Sequence, residues 1–293
     1  MQIQRNFCSF AAMKDHLFVN GRRLQYDANG LVAGRLPLVL VHGFCEDSSV
    51  WDGLLPLLVP APLVRVDLPG FGGSERALAP GMDAYADAVC AVLNELDIER
   101  CVLAGHSMGG YTALAFAEKH PERLAGFSLV HSHPYEDTPE RIENRRRGIG
   151  MLQAEKKELY VAQLFPGLFA PAFGQQHPDV VQRLIEQGQK QTAGGIADAL
   201  QAMIDRKDHT HTLRDSPCPV QFVLGEQDSV IPAAQALEAA ALPAVADVHL
   251  LAGVGHMGMF EAPEQLASAL ANFRAFCRSR LSGWDSNKKQ TTA

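Results

Sequence analysis

Apolar residues in this chain fall into short continuous runs, separated by stretches in which they recur every three or four positions. PLVLVHG at 37–43, PLVRVDLPG at 62–70, CVLAGHS at 101–107 and LAGFSLVHS at 124–132 are such runs, and PVQFVLGEQD at 219–228 and DVHLLAGVGH at 247–256 are two more. An unbroken run of this length predicts a strand covered on both faces, as in a parallel sheet. Between the runs, Met82, Tyr85, Ala86, Val89, Leu93 and Leu96 form one helical stripe, and Leu266, Leu270, Phe273 and Cys277 form another after Pro263. The Ala-rich stretch Ser107 to Lys119 is a third helix, ending before Pro121. Strand–helix alternation predicts βαβ units and hence an α/β fold, a mostly parallel sheet with helices on both faces. Upstream, Asn20-Gly21 between LFV and RRLQYD predicts a hairpin, because both residues accept the positive φ of a two-residue turn.

From His133 to about Thr212 the alternation stops, and only helical patterns recur. An ordinary connection is far shorter, so 133–212 is expected to be an inserted helical cap on a core formed by 1–132 and 213–281, with 282–293 a polar tail. A length of 293 residues with 47% hydrophobic side chains is ample for a sizeable core. The formal net charge of −7 argues against a nucleic-acid partner, which needs a basic face. Six cysteines without CxxC spacing point to reduced thiols in a cytoplasmic protein rather than a zinc site. The N-terminal MQIQRNFCSFAAMKDH has no apolar core of a secretory signal, and no run approaches the roughly 18 apolar residues of a membrane span.

The sharpest chemical signal is Gly105-His106-Ser107-Met108-Gly109, a G-x-S-x-G between an expected strand and an expected helix. A sharp strand-to-helix turn pushes a serine hydroxyl out of the chain, and glycine two positions to either side avoids collision. Ser107 is therefore the candidate nucleophile, and the N–H of Met108, at the helix start, is a candidate oxyanion donor. A serine hydroxyl needs a base. His256, in the loop after the last expected strand, is the candidate; activity is then expected to fall on acidification as the imidazole protonates. Asp228, closing FVLGEQD, is the candidate acid, with Glu136 and Asp137 in reserve. His42-Gly43-Phe44 follows the first run, so the Phe44 N–H is the second oxyanion candidate and His42 a structural hydrogen-bonder.

Taken together, HGF at 42–44, DLPGFGGS at 67–74, GHSMGG at 105–110, GEQD at 225–228 and GVGH at 253–256 resemble the motifs of the α/β-hydrolase superfamily. The resemblance spans about residues 17 to 280 and is closer to small carboxylesterases and enol-lactone hydrolases than to members with an aspartate nucleophile. It implies an eight-stranded sheet, a helical cap after the sixth strand, a Ser107–His256–Asp228 triad, and an oxyanion hole from Phe44 and Met108. No cofactor is implied, and the partner is a small acyl substrate.

The same triad also fits carbon–carbon bond hydrolysis or acyl transfer, and the fold supports non-catalytic ligand binding as well. Cys45, His133, Phe165 and Phe169 are candidate substrate-binding residues, although a small buried cysteine and cap-to-core packing by Phe165, Leu168, Phe169 and Phe173 are the plainer readings. The arginines at 145–147 fit either an acidic substrate or a solvated helix face. His131, His133, His209 and His211 lack a carboxylate or cysteine at metal-site spacing, so no metal is expected. Neither substrate identity nor oligomeric state follows from these patterns.

Overall fold

The computed structural model describes residues 14–290, with side chains through residue 281. The N-terminal segment screened for a signal, Cys8 and the end of the expected tail lie wholly or partly outside them. Eight strands form one sheet: β1 Lys14–Val19, β2 Arg22–Asn29, β3 Leu38–Val41, β4 Leu63–Val66, β5 Cys101–His106, β6 Leu124–Val130, β7 Val220–Gly225 and β8 Ala246–Leu251, in the order β1-β2-β4-β3-β5-β6-β7-β8. β1 and β2 pair antiparallel, as do β2 and β4, and every pairing from β4 through β3 to β8 is parallel. The β1–β2 turn has φ 51° at Asn20 and 75° at Gly21, the positive values that a two-residue hairpin requires.

The first helices are α1 Leu55–Leu58, α2 Met82–Glu95 and α3 Met108–Lys119; the last are α10 Ala233–Ala239, α11 Gly258–Glu261 and α12 Pro263–Gln290. They cover both faces of the sheet, and for this reason all residues of β3 to β7 are buried. β8 departs from the expectation of a fully covered strand. It lies at the sheet edge, and Val248 and Leu250 are 41% and 49% exposed. Helix α12 continues past residue 281 into the segment expected to be tail. None of the helices among the described residues is long and apolar enough to cross a membrane. The five described cysteines are free.

Between β6 and β7 lie α4 Pro139–Gln153, α5 Lys157–Leu164, α6 Pro171–Gln176, α7 Pro178–Lys190, α8 Ala193–Ile204 and α9 Thr210–Arg214, with no strand among them. Polar contacts seat this cap on the sheet's loops. Gln191 accepts from the Gly72 N–H at 2.9 Å and donates to Asp47 at 3.1 Å, and Arg76 forms a two-point ion pair with Asp198. These contacts hold the inserted helices against loops that follow the carboxyl ends of β3 and β4, the edge at which an open α/β sheet places ligands.

Candidate active site

The turn from β5 into α3 places Ser107 at φ 50° and ψ −111°, a region that L-residues avoid. Only glycine fits on either side. A Cβ at Gly105 would lie 2.0 Å from the Gly109 carbonyl oxygen, and one at Gly109 would lie 2.4 Å from that of Val41. The Ser107 N–H donates to Val130 at 2.9 Å and its carbonyl accepts from the Ser132 hydroxyl at 2.9 Å, so neighbouring β6 holds the bend. Met108 is the first residue of α3, and its N–H has no partner within the helix.

His256 is buried, and its Nδ1 lies 2.7 Å from Asp228 Oδ2. Asp228 Oδ1 accepts from the N–H groups of Val230 and Ile231, both at 2.8 Å. Burial works against ionisation of Asp228. The charge of His256 and hydrogen bonds from His131 and His256 outweigh it, holding the carboxyl well below the usual carboxylate range. An ionised Asp228 requires Nδ1 of His256 to carry a proton, which leaves Nε2 as the basic nitrogen. The loop itself is gripped by Glu261, which accepts from the N–H groups of Gly255 and Met257 on either side of His256 and from Ala170 of the cap. Ser107 and His256 line the same cavity, of about 410 Å³, with Phe44 on its wall.

A second buried pair, which sequence spacing did not show, joins three loops of the site. Glu46 Oε2 accepts from the Gly43 N–H at 2.7 Å and lies 3.0 Å from His106 Nδ1, while His106 Nε2 donates to the His256 carbonyl at 2.9 Å. Burial disfavours both charges, yet their mutual attraction and hydrogen bonds raise the pKa of His106 and lower that of Glu46. His106 thus has an acceptor at each ring nitrogen, an arrangement that favours its protonated form and ties the loop after β3 and the His256 loop to the bend. A raised histidine pKa contributes stability fully below the ordinary histidine value and loses it as pH rises through the folded value; a lowered glutamate pKa contributes above the ordinary carboxylate value. Glu46→Gln is therefore expected to cost on the order of 1.5–3 kcal/mol near pH 6 and progressively less toward alkaline pH. Melting temperatures of both proteins from pH 5 to 9 check this; a gap that does not change with pH contradicts it.

Several expectations are corrected by the packing. Cys45, His133, Phe165 and Phe169 are buried and are not among the residues that line the cavity. Cys45 faces the core, where burial pushes its thiol well up. Phe165 packs on Gly188, and Phe169 stacks on Phe173 with ring centroids 5.3 Å apart. His133 sits beneath Tyr111, with Nδ1 accepting from the Tyr135 N–H; burial, and then Arg206, Arg141 and Arg145, push its pKa down to about 3. The lining comes instead from Tyr111, Tyr160, Leu164, Leu168, Leu200 and Met203, and from Arg141, Asn144 and Arg145 on α4.

The arginine run divides: Arg145 faces the cavity, whereas Arg146 and Arg147 are exposed. Asp137, a reserve acid, is paired with Arg145 and Arg206 instead of reaching His256. His42 is a structural hydrogen-bonder, accepting from the Leu68 N–H at Nε2 and donating to the Gly43 carbonyl from Nδ1. His131 is an unforeseen neighbour: its Nδ1 lies 3.4 Å from Asp228, and burial pushes its pKa down to about 4, so it stays neutral. His131, Asp228 and His256 are close enough to hold a metal ion, but Asp228 is already engaged by both histidines, and the Gly258 backbone closes on His131 Nε2. Away from the cavity, Glu118 on α3 meets His209 and His211, supplying a carboxylate that linear spacing hid.

A family model for the alpha/beta hydrolase fold matches residues 37–263. The dihydrolipoyllysine-residue acetyltransferase component of the acetoin cleaving system of Pseudomonas putida is 32% identical over 268 residues, covering 87% of this chain and 67% of that one. The biotin biosynthesis bifunctional protein of Cellvibrio japonicus is 31% identical over 80% of this chain, which spans only 47% of that relative's length. Among solved structures, a thermophilic esterase from Thermogutta terrifontis, with malate bound, superposes at a TM-score of 0.84 with 29% identity, covering 91% of this chain and 100% of that one.

Proposed function

This chain belongs to the α/β-hydrolase family, and from that premise we propose that it is a serine hydrolase cleaving an ester or related acyl bond of a small molecule. The observation that carries the proposal is the placement of Ser107 and His256 on one cavity, with His256 oriented by Asp228 at 2.7 Å. Ser107 Oγ attacks the acyl carbon as His256 Nε2 takes its proton. The N–H groups of Phe44 and Met108 hold the developing oxyanion, each donor supplying about 2.7–4 kcal/mol. His256 then gives the proton to the leaving oxygen, and the acyl group stays on Ser107. A water that His256 deprotonates attacks the acyl-enzyme and restores the hydroxyl. Labelling with a fluorophosphonate tests the reading: one mole should attach per mole of chain, at Ser107 by peptide mapping. A folded protein that takes up no label would favour the ligand-binding alternative.

The cavity wall supports a substrate that carries a carboxylate. Arg141 and Arg145 both line the cavity; Arg145 is paired with Asp137 behind it, whereas the Arg141 guanidinium donates to the Val230 carbonyl and has no carboxylate partner among the described residues. The acid among the lining residues, Glu46, is paired with His106. Excess positive charge in a partly apolar cavity favours an anionic group, and a charge-assisted hydrogen bond contributes about 1.5–3 kcal/mol. Arg141→Gln is expected to raise KM for a monoester of a dicarboxylic acid by about tenfold or more, while the neutral diester changes little. Equal changes for the two esters would remove this assignment.

A further inference from the structure

We propose a divalent-metal site outside the cavity, formed by Glu118, His209 and His211, that takes Zn²⁺ and joins the end of the cap to the core. Its ligands come from two elements. Glu118 stands in the last turn of α3, the helix that begins just after Ser107; His209 directly precedes α9 and His211 lies within it, where the chain leaves the cap for β7. His209 Nδ1 is 3.3 Å from Glu118 Oε2, and His211 Nε2 is 3.4 Å from Glu118 Oε1. The three donors all lie within 4.8 Å of one another. The Thr212 hydroxyl completes the cluster, 3.2 Å from His209 Nδ1 and 3.4 Å from His211 Nε2.

Each imidazole already lies close to a tetrahedral donor spacing from a Glu118 oxygen, and the wider separation within the set is one that the exposed Glu118 and His211 side chains can close. Zinc binds imidazole nitrogen at about 2.0–2.1 Å and carboxylate oxygen at about 2.0–2.2 Å, so neighbouring donors in its tetrahedron lie roughly 3.3–3.5 Å apart. Two imidazoles and one carboxylate are also the donor types that suit zinc and its first-row neighbours rather than magnesium or calcium. The burial is graded in a way that fits binding from solvent. The His209 side chain is 6% exposed and preset, whereas those of Glu118 and His211 are 36% and 50% exposed and can close on an arriving ion. Beside them opens a groove of about 300 Å³ lined by Glu118, His211, Thr212, Asp215 and Cys218, which leaves room for water at the fourth position. None of the three ligands lines the cavity that holds Ser107. The site is therefore independent of the hydrolase reading, and its physical effect is to cross-link α3 to the cap's return segment.

The test uses the full chain without a polyhistidine tag, stripped with chelator and titrated calorimetrically with Zn²⁺. One saturable site per chain is expected, with an affinity at least tenfold weaker in Glu118→Gln and in His211→Ala. Both positions are partly exposed, so both variants should fold; His209→Ala is avoided because it empties a buried position. Zn²⁺ should raise the melting temperature of the wild type and leave that of His211→Ala unmoved. Co²⁺ should give the visible absorption of a tetrahedral site in the wild type alone. Asp228→Asn should keep Zn²⁺ affinity, since the buried His131–Asp228–His256 cluster is not the proposed site. No saturable binding, unchanged affinity in both surface variants, or loss that follows Asp228→Asn would each overturn the proposal. Metal affinity and melting are the readouts, so this outcome and that of fluorophosphonate labelling are separate.

Discussion

Replacing Ser107 by alanine should lower ester turnover by about 10⁴- to 10⁶-fold, the scale on which serine hydrolases lose activity when the attacking hydroxyl is removed. The fold should survive. The bend is held by a bond from the Ser107 N–H to the Val130 carbonyl and by one from the Ser132 hydroxyl to the Ser107 carbonyl, and the Ser107 side chain makes no capping hydrogen bond to α3. The strain at φ 50° is a backbone property that alanine inherits almost unchanged. The decisive measurement is kcat for a p-nitrophenyl ester, with the melting temperature of each protein alongside. A variant that melts like the wild type and has lost its turnover places the hydroxyl in the reaction. One that keeps turnover within tenfold assigns the nucleophile elsewhere.

The second large effect is expected from Asp228→Asn, a loss of about 10⁴-fold in kcat. An amide oxygen at this position can still accept from Val230 and Ile231, as Oδ1 does now at 2.8 Å. The amide nitrogen, however, would then face His256 Nδ1 with a donor. That favours the tautomer protonated at Nε2, in which the nitrogen facing the cavity cannot take a proton from Ser107. The pH dependence of stability supplies an independent check. Because the folded pKa of Asp228 is depressed, its contribution is present above the ordinary aspartate value and is lost as pH falls through the folded value. The stability gap between wild type and variant should therefore narrow in strong acid. A variant retaining more than a tenth of wild-type kcat would show that Asp228 does not orient the base.

The parts of this protein legible in the sequence were those set by local pattern. Strands β3 to β7 show as continuous apolar runs because both of their faces are covered, and Asn20-Gly21 shows as a hairpin because few residue pairs tolerate two positive φ values. The bend at Ser107 shows because Gly105 and Gly109 are required within two residues of it. Asp228 and His256 were identifiable by their place after strands, since a parallel sheet brings such loops to one edge. The edge position of β8 was not legible, because strand order is set by pairing and not by the run itself.

Contacts between distant segments escaped the sequence. Glu46 and His106 are 60 residues apart, and the His106 bond to the His256 carbonyl spans 150. The segment between β6 and β7 shows the limit most clearly: its helical character follows from periodicity, but which side chains look into the cavity depends on how those helices are rotated over the sheet. That rotation brings Arg141, Arg145 and Tyr160 to the wall, while Phe165 and Phe169 are buried away from its lining. The sequence alone determined the sheet, the bend and the residue types able to carry out acyl chemistry, because backbone sterics and burial periodicity act over a few residues. Only the tertiary structure decided which charges meet, from Glu46 with His106 to Glu118 with His209 and His211, because such pairings depend on long-range packing that no local spacing encodes.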